Sequence, residues 1–218
     1  MATQPTALPK LFIGIDIHKK SWSVHIRSDI SDHKSFTVPT DPSVVYEYVN
    51  HHFPGYQVEL TYEAGCCGFS AARYFLQMGW QVKVVNPADI PRKDKQNYQK
   101  TDLIDCRNLS KQLSLGQLKG IFVPGETEDE LKSLLRHRAS VTKQLRTAKV
   151  HIKSFLLYQG ISIPFQHDNP NWTKGFIAWL KSIKWASVAG KQCLESKLRI
   201  YEFIYVEYLQ LANQLRAH

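Results

Sequence analysis

LFIGIDIHKKSWSVHIR, the segment at residues 11–27, carries the strongest fold signal in the sequence. Residues 11–16 form a short apolar run, whereas bulky and polar residues alternate at 21–27, as they do in a half-buried β-strand. The alternation returns in HKSFTV at 33–38. Because the connections between these segments are short, we predict three consecutive strands that form a meander.

Strand and helix patterns alternate after the meander. Pro39 and Pro42 end the extended chain, and Asp41 or Ser43 would cap a helix that reaches about Phe53. The next predicted elements are a strand at 57–63, a helix at 67–79, a strand at 81–86, a loop at 87–100 and a helix at 101–116 capped by Thr101. This order predicts an α/β fold with a mixed sheet flanked by helices, and it is the order of the ribonuclease H-like fold.

The second part of the sequence has a helical pattern throughout. An acidic segment after Pro124 begins a helix that extends to about Tyr158, and further helices are predicted at 171–185 and 191–216. Apolar residues of the long helix recur at alternating steps of four and three, the spacing of a coiled-coil seam that a partner helix covers. The predicted organisation is a flexible tail at 1–10, an α/β domain at 11–122 and an all-α, coiled-coil-forming region at 123–218.

The composition favours a polyanionic partner. Lys and Arg outnumber Asp and Glu by 28 to 19, and a net charge of +9 is typical of proteins that bind nucleic acid. No apolar segment reaches the roughly 20 residues of a membrane span, and the first ten residues do not resemble an export signal. The four cysteines lack a CxxC pair, so we expect free thiols in a cytoplasmic protein, with Cys66 and Cys67 buried as small hydrophobic residues.

Four acids occupy positions that suit a metal site. Asp16 and Glu63 each stand at the end of an apolar strand, and neighbouring parallel strands would bring both carboxylates to one edge of the sheet. Asp102 and Asp105 lie three residues apart on a predicted helix, so they share a face and repel each other. Taken singly, each acid is better explained as a cap, a turn residue or a solvated side chain. Their joint occurrence predicts a site for Mg²⁺ or Mn²⁺, with two ions about 4 Å apart for phosphodiester chemistry.

Basic side chains form three groups that would contact a nucleic-acid backbone. One group follows the first strand. A second group lies in the loop at 87–100 and in the helix at 101–116, and a third lies on one side of the long helix. The residues are His18, Lys19 and Lys20; Arg92, Lys93, Lys95, Lys100 and Arg107; and Arg136, Lys143, Arg146, Lys149 and Lys153. A solvated turn or helix face explains the same charges about equally well, and Arg107 could instead be a salt-bridge partner.

The segments FIGIDIHKKSWSV, TYEAG, VVNPADI and KTDLIDCRNL resemble, in this order, the DEDD transposases of the insertion-sequence 110 family. The resemblance extends over about residues 11–160. It implies a RuvC-like domain, followed by a coiled-coil-forming region, in which the metal-binding tetrad corresponds to Asp16, Glu63, Asp102 and Asp105. Members of the family are recombinases of mobile elements, which implies DNA as the partner, and some are guided by a structured RNA.

The resemblance also implies a second, C-terminal domain whose serine nucleophile completes a composite active site. No serine of this chain can be assigned that role by motif, so we expect the 218-residue chain to need that domain for strand exchange. We expect a homodimer or a higher homo-oligomer that forms through the helical region. We also expect the protein in the cytoplasm of a bacterium or archaeon, where it would associate with the nucleoid when it binds DNA.

Other classes of protein fit parts of the pattern. A non-catalytic fragment for nucleic-acid binding and oligomerisation, or a Holliday-junction-type nuclease, would share the fold and the charge. Actin-like sugar kinases also begin with a strand that ends in Gly-Ile-Asp. Their phosphate loop needs glycines directly after the aspartate, where this chain has Ile17, His18 and Lys19, so the kinase interpretation is weak.

Overall fold

A computed structural model of the chain describes residues 8–90, 102–167 and 171–217. Its strands are β1 (Lys10–Ile17), β2 (Trp22–Ser28), β3 (Asp32–Val38), β4 (Gln57–Glu63) and β5 (Gln81–Val85). They form one sheet in the order β3-β2-β1-β4-β5. β1, β2 and β3 pair antiparallel, whereas β1, β4 and β5 pair parallel. The predicted mixed sheet, a meander followed by strand–helix crossovers, is therefore confirmed.

The described ranges contain six α-helices, three in the part of the chain that holds the sheet and three in the part from Glu126 onward. They are α1 (Pro42–His52), α2 (Ser70–Gln77), α3 (Asp102–Ser114), α4 (Glu126–Tyr158), α5 (Lys174–Ser182) and α6 (Val188–Arg216). Asp41 caps α1, as predicted, because its side chain accepts a hydrogen bond from the Ser43 amide. α2 begins three residues later than predicted, since Gly68 has a φ of 57° that no helix continues through. The predicted cap Thr101 lies outside the described residues.

The two-residue period of the strands sorts their side chains between two helical layers. On β1, Leu11, Ile13 and Ile15 belong to a core that includes residues of α1 and α2. Phe12, which points the other way, packs in a separate cluster with Leu109 of α3. The helices α1 and α2 therefore cover one face of the sheet, and α3 covers the opposite face.

Gly14 allows α3 to approach the sheet at backbone distance. A Cβ atom on Gly14 would lie 2.1 Å from the carbonyl oxygen of Cys106 and 2.5 Å from the amide nitrogen of Ser110. Both atoms belong to the helix backbone, so they cannot move aside as the end of a side chain would. Gly14 lies inside β1 and does not have a positive φ. Position 14 therefore requires glycine because of this contact and not because of its dihedral angles.

Next to Gly14, a buried histidine contributes polar contacts on the same face. His25 of β2 pairs with Gly14 in the sheet and is 1% exposed. Its Nδ1 atom lies 2.8 Å from Oγ of Ser35, and its Nε2 atom lies 3.3 Å from Oδ1 of Asp32. Burial lowers the pKa of His25, so the ring is neutral at physiological pH and uses both nitrogens in hydrogen bonds.

The residues from Glu126 onward form a compact unit of their own. In it α4 and α6 run antiparallel, since Arg138 lies over Tyr208 and Lys197 lies over Phe155. Their buried residues include Leu145, Ile152 and Leu156 of α4 and Leu194, Leu198 and Tyr201 of α6. The helix that covers the predicted seam thus comes from the same chain. Within the described ranges, no helix combines the length and apolarity needed to cross a membrane.

We predict that Gly14→Ala lowers the free energy of unfolding by about 3 kcal/mol, because the added methyl group forces α3 away from β1. Gly120→Ala is the matched control. A Cβ atom there would make ordinary contacts, the nearest at 3.5 Å, and the backbone is compatible with alanine. Urea unfolding of the two variants measures the difference. Equal midpoints for Gly14→Ala and the native chain would show that α3 does not pack on Gly14.

Candidate active site

Asp16 and Glu63 stand side by side at the carboxyl end of two parallel strands. The last paired positions of β1 and β4 are Ile15 and Tyr62, and the two acids follow directly. Asp16 shares the α3 side of the sheet with Phe12 and Gly14, because it lies two residues beyond Gly14. Glu63 is likewise offset by one residue from Tyr62, whose ring is buried in the core under α1 and α2.

The loop after Glu63 is held by two kinds of contact. The Ala64 amide donates a hydrogen bond to the carbonyl oxygen of Val85 at the end of β5. The hydroxyl of Tyr62 donates to the carbonyl oxygen of Gly68 and accepts from the amide of Ala72 in α2. Burial raises the pKa of Tyr62, so the hydroxyl keeps its proton for this contact. These bonds fix the chain on both sides of the Glu63 carboxylate.

The second pair of acids comes from the first turn of α3. Asp102 and Asp105 lie on the stripe of the helix that continues into Cys106, Leu109 and Leu113, which are buried against the sheet. Where the helix reaches the end of the sheet, the stripe changes from apolar to acidic. Asp102 is exposed and Asp105 is half-buried. The packing of α3 on Gly14 therefore aims both carboxylates at the strand ends.

All four acids line one cleft. Its volume is about 410 Å³, and its wall is formed by Asp16, Glu63, Asp102 and Asp105 together with Ile17, His18, Ala64 and Gly65. The four carboxylates come from two strands and one helix that are separated by dozens of residues in the sequence. No serine is among the described residues that line this cleft.

The carboxylate of Asp16 is unfavourably placed for a lone negative charge. Burial raises its pKa, and the nearby Asp102 and Asp105 carboxylates raise it further, whereas His18 lowers it. Nε2 of His18 lies 3.1 Å from Oδ2 of Asp16 and 3.3 Å from Oδ1 of Asp102. The charge of Asp16 is the main cause that raises the pKa of His18, burial opposes it, and Asp102 adds to the increase. When protonated, His18 places a positive charge between the strand acid and the helix acid.

The donor set fits a hard divalent cation. Ligand atoms of Asp16, His18 and Asp102 all lie within 4.8 Å of one another. Mg²⁺ and Mn²⁺ favour carboxylate oxygens as ligands, and all four acids of the cleft supply them. A bound cation would also relieve the repulsion among the four carboxylates. Cys106 lies beside Asp16, but burial raises the pKa of its thiol to about 12. The thiol therefore stays protonated and packs as an apolar group.

The predicted basic residues occupy different surroundings. His18 lies in the acidic cleft, while Lys19 and Lys20 are exposed on the turn after β1. Arg107 is exposed on α3, where its charge helps to lower the pKa of His25 and Asp32. Four further predictions fall outside the described residues, namely Arg92, Lys93, Lys95 and Lys100.

On α4, the predicted cations differ in exposure. Arg136, Lys143 and Arg146 are exposed on one side of the helix. Lys149 is half-buried, and its Nζ atom lies 5.7 Å from the centre of the Trp172 ring. Burial also lowers the pKa of Lys149. Lys153 is likewise half-buried. The first three cations are therefore the better placed ones for a phosphate backbone.

Sequence reasoning missed two features of the site and misjudged a third. Gly14 was not recognised, although a glycine inside an apolar strand signals close backbone approach. His18 was assigned to nucleic acid alone, whereas the structure places it between two acids. The expected burial of Cys66 is wrong, because Cys66 is exposed and Cys67 is only half-buried. Cys67 was predicted as the first residue of a helix that instead begins at Ser70, after the turn at Gly68.

Comparison with known proteins identifies the family of the chain. A family model described as transposase, of the DEDD type of insertion sequence 110, matches residues 13–159. The candidate transposase y4qE of Sinorhizobium fredii is 29% identical over 155 residues, which are 71% of this chain and 39% of that protein. The transposase for insertion sequence element IS1533 of Leptospira borgpetersenii is 24% identical over 179 residues, which are 80% of this chain and 51% of that protein. The chain thus spans two fifths to one half of the length of these relatives.

Proposed function

The chain belongs to the DEDD transposases of the insertion-sequence 110 family, and we propose that its acidic cleft carries out metal-dependent phosphodiester chemistry on DNA. The observation that carries this proposal is the convergence of Asp16, Glu63, Asp102 and Asp105 on one cleft. Acids from three distant segments meet there, although each alone would have an ordinary structural explanation. Joint binding of a cation would explain why all four carboxylates lie in the same cleft.

In this proposal the four acids hold Mg²⁺ or Mn²⁺, as the family resemblance implies. Two bound ions would supply charge stabilisation for the attacking and leaving oxygens of an in-line displacement. We assign Asp16 as the central ligand, because its side chain is 18% exposed against 61% for Asp102 and because its Oδ2 and Asp102 Oδ1 both lie within 3.3 Å of His18. Asp102 and Asp105 close the cleft from the helix side, and Glu63 closes it from the neighbouring strand.

Basic residues around the cleft would bind the DNA strand itself. His18 at the cleft, with Lys19 and Lys20 on the same turn, can neutralise phosphates on either side of the reacting one. When protonated, His18 also balances part of the charge of Asp16 and Asp102. These side chains orient the strand rather than supply the nucleophile.

The nucleophile for strand transfer comes from elsewhere in this proposal. No serine lines the cleft among the described residues, and the family resemblance implies a serine in a C-terminal transposase domain. A composite active site would then combine that serine with the acids described above. The same resemblance suggests a structured guide RNA, and a homodimer or higher homo-oligomer would form through the helical region. The exposed cations of α4 would bind nucleic acid in such an assembly.

The central test is DNA cleavage by the chain and by variants in which one acid is neutralised. Asp16→Asn, Glu63→Gln, Asp102→Asn and Asp105→Asn are each expected to lower the rate of Mn²⁺-dependent cleavage or strand transfer by roughly a hundredfold or more. Each reaction is run with the chain alone and with the C-terminal half of a curated relative added. Glu47→Gln on α1 is the control, because it removes an exposed acid outside the cleft.

The possible results separate the competing functions. Metal-dependent nicking by the chain alone would favour a Holliday-junction-type nuclease that uses water. Strand transfer that needs the added C-terminal half would support the composite site. If neither reaction occurs, or if the four variants and Glu47→Gln behave alike, the cleft is not catalytic and the chain is a binding and oligomerisation module.

A second prediction concerns the basic side of α4. Replacing Arg136, Lys143 and Arg146 with Gln should reduce the slope of log K against log salt for duplex DNA by about 3, because each cation that contacts a phosphate releases about one counterion. Lys181→Gln is the matched control, since Lys181 is ion-paired with Glu202 at 2.8 Å. Fluorescence anisotropy at several salt concentrations measures the slopes. An unchanged slope in the triple variant would remove α4 from the interface with DNA.

A further inference from the structure

A second pocket adjoins the acidic cleft. Its volume is about 680 Å³, and small-ligand pockets have volumes of roughly 300–1,000 Å³. His18 lines both spaces. The loop after β4, which gives Gly65 to the cleft, gives Cys66 to the second pocket. The two spaces are therefore neighbours that share one histidine and one loop.

The lining of this second pocket differs in chemistry from that of the cleft. Tyr74, which is half-buried, supplies aromatic surface, and Ser70 supplies a hydroxyl group at the start of α2. Trp22 also lines the pocket but is only 4% exposed, so it forms part of the wall rather than a stacking surface. Lys19 adds a positive charge, and no acid is among the described residues that line the pocket. The cleft, in contrast, is lined by four acids. A metal-binding role accounts for the acids of the cleft but does not explain the lining of the second pocket.

We propose that this pocket takes up an unpaired nucleobase from the DNA strand whose phosphate lies in the acidic cleft. The inference rests on the proposed function, because it is the phosphate in the cleft that brings a base to the pocket. It goes beyond that function by assigning a site for a base next to the reacting phosphate.

Three features favour a nucleobase as the occupant. Bases stack on aromatic side chains irrespective of their identity, and the half-buried ring of Tyr74 offers such a surface. Lys19 is placed to neutralise the phosphate that connects the base to its neighbour, since it lines the pocket and directly follows His18. The Ser70 hydroxyl donates to the carbonyl oxygen of Cys67 and retains acceptor capacity for a polar base edge.

The exposed thiol of Cys66 provides a direct probe of occupancy. Cys66 lines the pocket and is exposed, whereas Cys67 is half-buried and burial raises the pKa of its thiol. Cys106 is buried. Cys193 lies on α6 in the helical unit, so its alkylation serves as an internal reference in the same sample.

The experiment uses forked DNA with a short single-stranded segment, bound to the native chain in Ca²⁺. The segment carries either thymine at every position or one abasic residue at successive positions. N-ethylmaleimide labelling of Cys66 is quantified by mass spectrometry relative to Cys193, and affinity is measured by fluorescence anisotropy. With thymine throughout, we expect Cys66 labelling to slow about fivefold. At one position, an abasic residue should restore the labelling rate and weaken binding roughly tenfold.

Two variants test the aromatic surface. Tyr74→Leu should lose most of the protection of Cys66, while Tyr74→Phe should keep it, because only the ring is needed for stacking. The abasic series needs no variant, so it stays decisive if Tyr74→Leu does not fold.

The outcomes distinguish this inference from the proposed function. If the DNA binds and the cleft acids are needed for cleavage, but Cys66 labelling is the same with thymine and with every abasic residue, the pocket takes no base and the proposed function stands. Protection that persists with each abasic strand would likewise overturn the inference, since the DNA backbone alone would then cover the pocket. If the chain binds no DNA, the proposed function itself fails.

Discussion

The contact between the backbone of α3 and Gly14 is the constraint on which the site depends. Because Gly14 has no Cβ atom, the carbonyl oxygen of Cys106 and the amide of Ser110 lie where a side chain would otherwise be. The helix is thereby held against β1 with its first turn beside the end of that strand. Any larger residue at this position would move the helix outward, and the acids it carries would move with it.

Proximity of the acids has an electrostatic consequence. Asp16 is partly buried, and Asp102 and Asp105 add negative charge to its surroundings, so the fold brings together groups that repel one another. His18 offsets part of this repulsion from its position between Asp16 and Asp102. Such a cleft is stabilised by whatever positive charge enters it, and metal binding and local stability are therefore linked. This arrangement suits a site that is completed by ions and a polyanionic strand.

The sequence predicted the strands of the sheet well, because alternation and helix capping depend on residues that are close together in the chain. Alternation at 21–27 and 33–38 reports the two faces of a strand, and Asp41 caps α1 through its own neighbour Ser43. Asp16 and Glu63 were found at strand ends for the same reason. The features that were missed depend on the approach of distant segments. A glycine inside an apolar strand signals that some backbone approaches it closely, but the sequence around Gly14 does not identify α3 as that backbone.

The helical unit shows the same limit. Spacing in α4 predicted an apolar seam, and its middle residues Val141, Leu145, Ala148 and Ile152 are buried, whereas Leu134 and Phe155 at its ends are only half-buried. The spacing could not tell whether the covering helix comes from the same chain, and α6 fills that place here. Cys66 was expected to be buried, but it is exposed in the segment before the turn at Gly68. The sequence around Cys66 did not indicate this turn.

Crystals of the chain soaked in Mn²⁺ and measured at an anomalous wavelength would test the central claim most directly. A shared metal site predicts anomalous density in the cleft, with Mn²⁺ about 2.1 Å from an Asp16 oxygen and with at least one further acid of the four as a ligand. Mn²⁺ bound elsewhere on the protein while the cleft stays empty, at concentrations that saturate those other sites, would contradict it.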